Sequence, residues 1–198
     1  MQSPVTTWVE KSDNMEHFYR GIQGWFNYES IYDRAVAQSP DPAHFVEIGS
    51  WRGKSTVYLA VVIHNSGKQI RLDCVDTWRG SPDEDVHQQD PAVINDTLYQ
   101  EFLKNTETVR HIVNPVRMAS VDAAKLYQDQ SLDFVLIDAG HSYTDVSADI
   151  QAWLPKIRSG GLLAGDDYAW PGVRQAVDEL LPRRNILQTI GCWVHAVG

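Results

Sequence analysis

Cysteine is scarce: Cys74 and Cys192 are the two in 198 residues, too few for a disulfide scaffold. Long apolar runs are missing, and none approaches the roughly 18 residues that a membrane span needs. The opening stretch, MQSPVTTWVEKSDN, has neither a basic start nor an apolar core, so a secretory signal is not expected. Together these features predict a cytoplasmic protein with no membrane partner. Positive charge is also in deficit, with 17 Lys plus Arg against 26 Asp plus Glu and a formal charge of -9. That balance speaks against a broad phosphate-binding face, and so against nucleic acid as a partner, while leaving room for a small local anion site. The glycine pattern GxGxxG is absent, which disfavours a nicotinamide oxidoreductase. So are the P-loop, the GxSxG elbow and any His/Cys cluster with zinc spacing.

What is present is an ordinary globular composition, 43% hydrophobic and 22% charged, in a chain whose length suits one sizeable core. Helical spacing over 15–38 (Phe18, Ile22, Trp25, Phe26, Ile31, Ala35) predicts one helix or two short ones, interrupted at Gly21 and Gly24. Short apolar segments then predict strands at 44–49, 70–75, 109–113, 132–137 and 161–165, with a close antiparallel pair at 186–190 and 193–197. Helices are expected between them at 55–62, from 98, at 120–127, at 144–157 with Gly160 and Gly161 as its stop, and from Pro171. The polar stretch 77–96 is long for a simple connection, which marks it as a lid or substrate loop. Strands that alternate with helices and lean apolar on both faces predict an α/β fold with a mostly parallel, doubly wound sheet.

Chemistry gathers where the strands end. The first strand runs into Glu47-Ile48-Gly49-Ser50-Trp51-Arg52-Gly53-Lys54-Ser55-Thr56, a turn whose glycines allow a backbone to approach a ligand. These glycines could equally serve only the strand–helix turn. Asp76 ends the second strand, where an acid can accept from both hydroxyls of a ribose; its other reading is a loop cap. Trp78 follows, either stacking on a base or simply packed. Asp138 ends the fourth strand and Asp166 and Asp167 end the fifth. Three carboxylates brought to one rim repel one another unless a cation or protons compensate them, and a hard divalent ion such as Mg²⁺ suits an all-oxygen set. The alternative is that they cap the following turns. His141, three residues beyond Asp138, has the ordinary titration range of a general base, or is a structural histidine of that turn.

The pieces FVEIGSWRGKST, LDCVDTW, LDFVLIDAGHSYTDVSADIQAWLPKIRSGGLLAGDDY and GVRQAVDEL, spread over about residues 43–181, resemble the class I S-adenosylmethionine-dependent methyltransferases. Within them the chain is similar to the small family that includes the macrolide and aminocoumarin sugar O-methyltransferases. The resemblance implies a seven-stranded Rossmann-like sheet with its last strand antiparallel. It implies an N-terminal helical cap and substrate segment over 1–42, followed by the methyltransferase domain over 43–198. It assigns the cofactor S-adenosylmethionine to Glu47, Gly49, Trp51, Gly53 and Ser55, to Asp76 with Thr77 and Trp78 after it, to Ser120 and to Asp138. It assigns the metal, Mg²⁺ or another hard divalent ion, to Asp138, Asp166 and Asp167, and catalysis to His141 as base with Asp138. Ala139 stands where many members have glycine.

The expected activity is therefore Mg²⁺-dependent methylation of a hydroxyl on a small molecule bearing neighbouring hydroxyls, a sugar among them. A metal-independent methyltransferase and a non-catalytic S-adenosylmethionine-binding protein are the competing readings. An anionic substrate would need a basic patch, with Arg52, Arg79 and Arg117 as possible members. A homodimer through the N-terminal helices is the expected assembly.

Overall fold

The computed structural model describes residues 14–82, 84–182, 184–187 and 191–198. Seven strands form one sheet: β1 Ala43–Ile48, β2 Ile70–Asp76, β3 Val113–Arg117, β4 Leu132–Ile137, β5 Ile157–Gly165, β6 Arg184–Leu187 and β7 Cys192–Ala196. Their order is β3-β2-β1-β4-β5-β7-β6, and β7 alone runs antiparallel to its two neighbours. The order reverses between β1 and β4, the place where an open α/β sheet leaves a crevice at its carboxyl edge. The eight α-helices are α1 Glu29–Gln38, α2 Lys54–Ser66, α3 Asp85–Gln88, α4 Pro91–Ile94, α5 Leu98–Thr106, α6 Ser120–Ala124, α7 Tyr143–Trp153 and α8 Pro171–Leu180.

Side chains alternate across each strand, so each strand feeds two cores. Phe45 of β1 and Phe134 and Leu136 of β4 join α1, α2 and α5 on one face. Val46 and Ile48 of β1 and Val135 and Ile137 of β4 join α6, α7 and α8 on the other. Phe134 and Trp153 anchor the two cores, and truncating a buried aromatic to Ala costs about 3–5 kcal/mol.

Several boundaries differ from the sequence pattern, each for a physical reason. The third strand is not 109–113 but Val113–Arg117, because Val109 is buried from a 3₁₀ turn, Glu107–Val109. Pro115 is tolerated inside β3 because this strand lies at the sheet edge. Gly160 and Gly161 do not stop a helix. The helix ends at Trp153, a Pro155-containing 3₁₀ turn follows, and both glycines lie inside β5 where its register on β4 shifts. A Cβ on Gly161 would come within 2.6 Å of Ile157 Cγ2 and 2.8 Å of the Asp133 carbonyl. The N-terminal helical pattern yields a 3₁₀ turn, Tyr19–Gly21, and then α1. The stretch 77–96 holds the short helices α3 and α4, with Asp90 Oδ1 accepting from the Ala92 amide at 2.8 Å as a cap. Residues 188–190 of the expected sixth strand lie outside the described residues. Among the described residues no helix is long and apolar enough to cross a membrane.

The strand ends are held level. Gly49 N donates to Val75 O at 2.9 Å, Asp138 N to Ile48 O at 2.9 Å, and Asp166 N to Ile137 O at 3.2 Å. Each first loop residue is thus tied to a carbonyl at the end of the neighbouring strand, which brings the acids to one rim.

Candidate active site

A cavity of about 840 Å³ opens along that rim, within the range of small-molecule sites. Of the cofactor residues expected from sequence, Gly49, Trp51, Ser55, Asp76, Thr77, Ser120 and Asp138 line it. Glu47, Gly53 and Trp78 do not. Glu47 lies beneath the turn, buried, and accepts from Tyr32 Oη at 2.6 Å, from Ser50 Oγ at 2.8 Å and from Thr56 Oγ1. It ties α1, the turn and α2 together, which is a bracing role. Gly53 caps α2 against Phe102 and Thr106. Trp78 is buried against Tyr99 and Phe102 and donates from Nε1 to the Trp51 carbonyl at 2.8 Å.

The turn after β1 makes a close approach. Gly49 has φ +87, and a Cβ there would overlap the Asp138 carbonyl. Asp76 Oδ2 accepts from Trp51 N at 2.8 Å and Oδ1 from Trp78 N at 2.7 Å. Burial raises its pKa to about 6 against the pull of these amides. Trp51 stacks on His87 of α3, with ring centroids 4.2 Å apart. The expected substrate loop therefore does reach the cavity, through Gly80, Ser81, Pro82, Glu84 and His87.

At the other end, Asp138, His141 and Asp167 each offer a donor atom, all within 4.8 Å of one another. His141 Nε2 lies 2.9 Å from Asp167 Oδ2, and Glu84 Oε1 lies 3.5 Å from Nδ1. Trp170 covers the imidazole, stacked at 4.6 Å. Burial opposes a charge on His141, but the hydrogen bond and charge of Asp167, with Glu84 and Asp138 behind it, raise its pKa above the ordinary value. Asp138 Oδ2 accepts from Tyr28 Oη at 2.8 Å. Burial first, then the charges of Asp166 and Asp167, push the Asp138 carboxyl well up. Asp166 is raised as well, by burial and by Asp167, and its Oδ1 accepts from Cys192 Sγ at 3.0 Å. The tight group thus contains His141, and Asp166 stands beside it, turned to the thiol.

The fold of this corner is local. Ser142 caps α7 through the Asp145 amide at 3.1 Å, fixing the turn that carries His141. Gly172 at the start of α8 packs on that turn, and a Cβ there would lie 2.5 Å from the His141 carbonyl oxygen. Sequence reasoning missed Tyr28, Glu84, Asp149 and Cys192 as neighbours of the site. No spacing signals them, because Tyr28 and Asp138 are 110 positions apart.

Comparison with protein families matches residues 46–168 to the family described as "Methyltransferase domain". The chain belongs to that family. A protein of Sinorhizobium fredii, described as "Uncharacterized protein y4gI", is 23% identical over 141 residues, 71% of this chain. The methyltransferase domain spans only 15% of that relative's length. Among solved structures, the O-methyltransferase NovP matches with a TM-score of 0.66 and 17% identity, over 85% of this chain and 78% of NovP. The calicheamicin methyltransferase CalS11, also described as a TDP-rhamnose 3'-O-methyltransferase, matches with a TM-score of 0.61 and 16% identity, over 86% and 77%. At these identities the likeness is one of fold.

Proposed function

We propose that this methyltransferase domain moves a methyl group from S-adenosylmethionine to one hydroxyl of a small, uncharged acceptor that carries a neighbouring hydroxyl, with a hard divalent ion at the β4–β5 rim. The observation that carries the reading is the cluster of Asp138, His141 and Asp167 in the same cavity as Asp76. The donor set fits a cation: half-buried carboxylates that repel one another, with raised pKa values, gain from a positive charge among them. Asp138 and Asp167 would hold the ion, with Asp166 adjacent. Bound there, the ion supplies charge stabilisation to a hydroxyl as it loses its proton, and the sulfonium supplies the electrophilic methyl.

The chain's own residues do the rest. His141 is the base that takes the hydroxyl proton, with Asp167 2.9 Å from its Nε2 holding the ring in place. Asp167 strengthens that base by its charge. Tyr28 keeps Asp138 oriented. Trp170 shields the imidazole face. Asp76 accepts from ribose hydroxyls, and Gly49 lets the turn lie against Asp138. Holding both partners in attack geometry is worth several kcal/mol of barrier, on the order of 7–11 at best. The segment read as a cap over 1–42 contributes Gly24, Trp25, Phe26 and Asn27 to the cavity wall.

The acceptor's charge follows from the wall. Asp76, Glu84, Asp138, Asp145, Asp149, Asp166 and Asp167 line the cavity, against Lys54 as the lysine or arginine among its described residues. Lys54 Nζ donates to the Gly24 carbonyl at 2.7 Å. Arg52 is engaged by Asp90 and Glu101, and Arg117 by Asp96, so neither forms a basic patch on the wall. A diphosphate-bearing acceptor would meet this acidic lining, which favours a neutral glycoside or polyol.

Methyl transfer from labelled S-adenosylmethionine to a panel of vicinal diols, with Mg²⁺ and with EDTA, tests the reading. Turnover that disappears in EDTA and returns with Mg²⁺ is expected. Full turnover in EDTA would instead favour the second reading, a metal-independent enzyme running on the His141–Asp167 pair alone.

A further inference from the structure

The two nitrogens of His141 have different neighbours. Asp167 Oδ2 lies 2.9 Å from Nε2. An ionised carboxylate only accepts, so the ring proton sits at Nε2 and the lone pair of the neutral imidazole at Nδ1. Glu84 Oε1 faces that lone pair at 3.5 Å, beyond the range of a hydrogen bond between nitrogen and oxygen. Two acceptors are thus turned toward one another across a gap, and both residues line the cavity.

Glu84 comes from the stretch 77–96, and its place there is built. It precedes α3, but its side chain makes no cap bond to that helix. His87 Nδ1 lies 3.3 Å from the same carboxylate but accepts from Ser81 N at 3.2 Å, so it has no proton at that nitrogen to give to Glu84. His87 is itself stacked on Trp51, and Asp90 farther along the stretch is paired with Arg52 at 2.7 Å. The turn after β1 therefore sets where this carboxylate stands. An ionised carboxylate has about four acceptor sites on two oxygens, so contacts within its own segment do not exhaust it.

We propose that Glu84 reads the hydroxyl next to the one that is methylated: the reacting hydroxyl donates to His141 Nδ1 while its neighbour donates to the Glu84 carboxylate. Hydroxyls on adjacent carbons stand about one hydrogen-bond length apart, which suits two acceptors separated by 3.5 Å. The inference rests on the methyl-transfer reading and adds to it the residue that makes a diol the required acceptor. As the reacting oxygen takes the methyl from sulfur, its proton passes to Nδ1, and the neighbour's proton stays shared with Glu84. A methoxy group has no proton to share. The monomethyl product is therefore rejected in a second round, and the reaction stops at one methyl per diol.

The test uses the full chain with Mg²⁺ and labelled S-adenosylmethionine. It compares the diols of the panel above, catechol and methyl mannopyranoside among them, with analogues in which one hydroxyl of the pair is removed or methylated. For an accepted diol, kcat/KM is expected to exceed that of its monomethoxy analogue about 100-fold, because a site built to bond a hydroxyl rejects an analogue that lacks it. The product mass should show a single methyl. Glu84→Gln, whose amide can donate to a methoxy oxygen, is expected to shrink the ratio to within about tenfold and to release dimethylated product. Glu84→Met, the second variant should the first fail to fold, should bring the ratio near one. Calorimetry should find S-adenosylhomocysteine affinity unmoved in both. A Glu84 that only props its segment would slow diol and analogue alike. A ratio unchanged by the substitutions, or a ratio near one or dimethylation with the unaltered protein, overturns the role of Glu84 and leaves the methyl-transfer reading standing. No turnover of any diol by the unaltered protein overturns both.

Discussion

Asp76 at one end of the cavity and Asp138 at the other are both half-buried strand-end acids with raised pKa values, but they are held differently. Asp76 is gripped by two backbone amides, from Trp51 and Trp78, that belong to the turns beside it. Asp138 is oriented by a tyrosine from the N-terminal segment, and its other close groups are Asp166, Asp167 and His141, which differ in sign and can exchange protons. Backbone amides fix a geometry that no single side-chain change removes, which suits a group that must bind. Side chains that repel or share protons leave a balance to be tipped by a cation or a substrate proton, which suits a group that takes part in chemistry.

Substitutions at the two ends should accordingly separate affinity from turnover. The largest effect is expected from Asp167→Asn, which removes both a cation ligand and the partner of His141: kcat should fall about 10³-fold, while calorimetry finds S-adenosylhomocysteine affinity little changed. A parallel collapse of affinity would erase the distinction between the two ends. Asp76→Asn should do the reverse, weakening S-adenosylhomocysteine binding about 10- to 100-fold, the loss of a charge-assisted hydrogen-bond pair, with a smaller change in kcat at saturating cofactor. Next in size is a pH effect. Burial raises the Asp76 carboxyl to about 6 from the ordinary carboxylate value. Its fully accepting form is present above that value and is lost as the pH falls through it, so affinity should drop several-fold between pH 7.5 and 5. The Asp76→Asn variant should lose that slope. For stability the sign is opposite: a raised folded-state pKa means that unliganded protein loses stability as pH rises from about 4 to 6, which thermal melts without ligand can follow. The smallest effect is expected from Tyr28→Phe, with turnover reduced roughly fivefold, about one hydrogen bond's worth, and cofactor affinity unmoved.

The same contrast explains what could be read in advance. Asp76, Asp138, Asp166 and Asp167 were legible because each follows an apolar strand whose end is marked by a change of polarity. His141 was legible from its spacing to Asp138. The seven-stranded sheet and its antiparallel last strand were legible as well, through resemblance and alternation. Trp78, expected beside the cofactor, is packed on Tyr99 and Phe102, because an aromatic beside an acid looks the same in sequence whether it faces a cavity or a core. The third strand was displaced because Val109 and Ile112 mimic a strand while Pro115 argues against one, and only an edge position reconciles the proline with a ladder. Tyr28, Glu84 and Cys192 were invisible, since their meeting with the rim depends on tertiary packing of distant segments.

Gly49 gives the two ends a common gauge. With the Asp138 carbonyl occupying the place of its missing side chain, the backbone of the turn after β1 and that of the turn after β4 meet without any intervening side chain that could vary. Under the proposed function, the separation between methyl donor and acceptor would be set by main chain against main chain. The loop 77–96 and the aromatic residues around the cavity could then change to suit another acceptor without altering that distance.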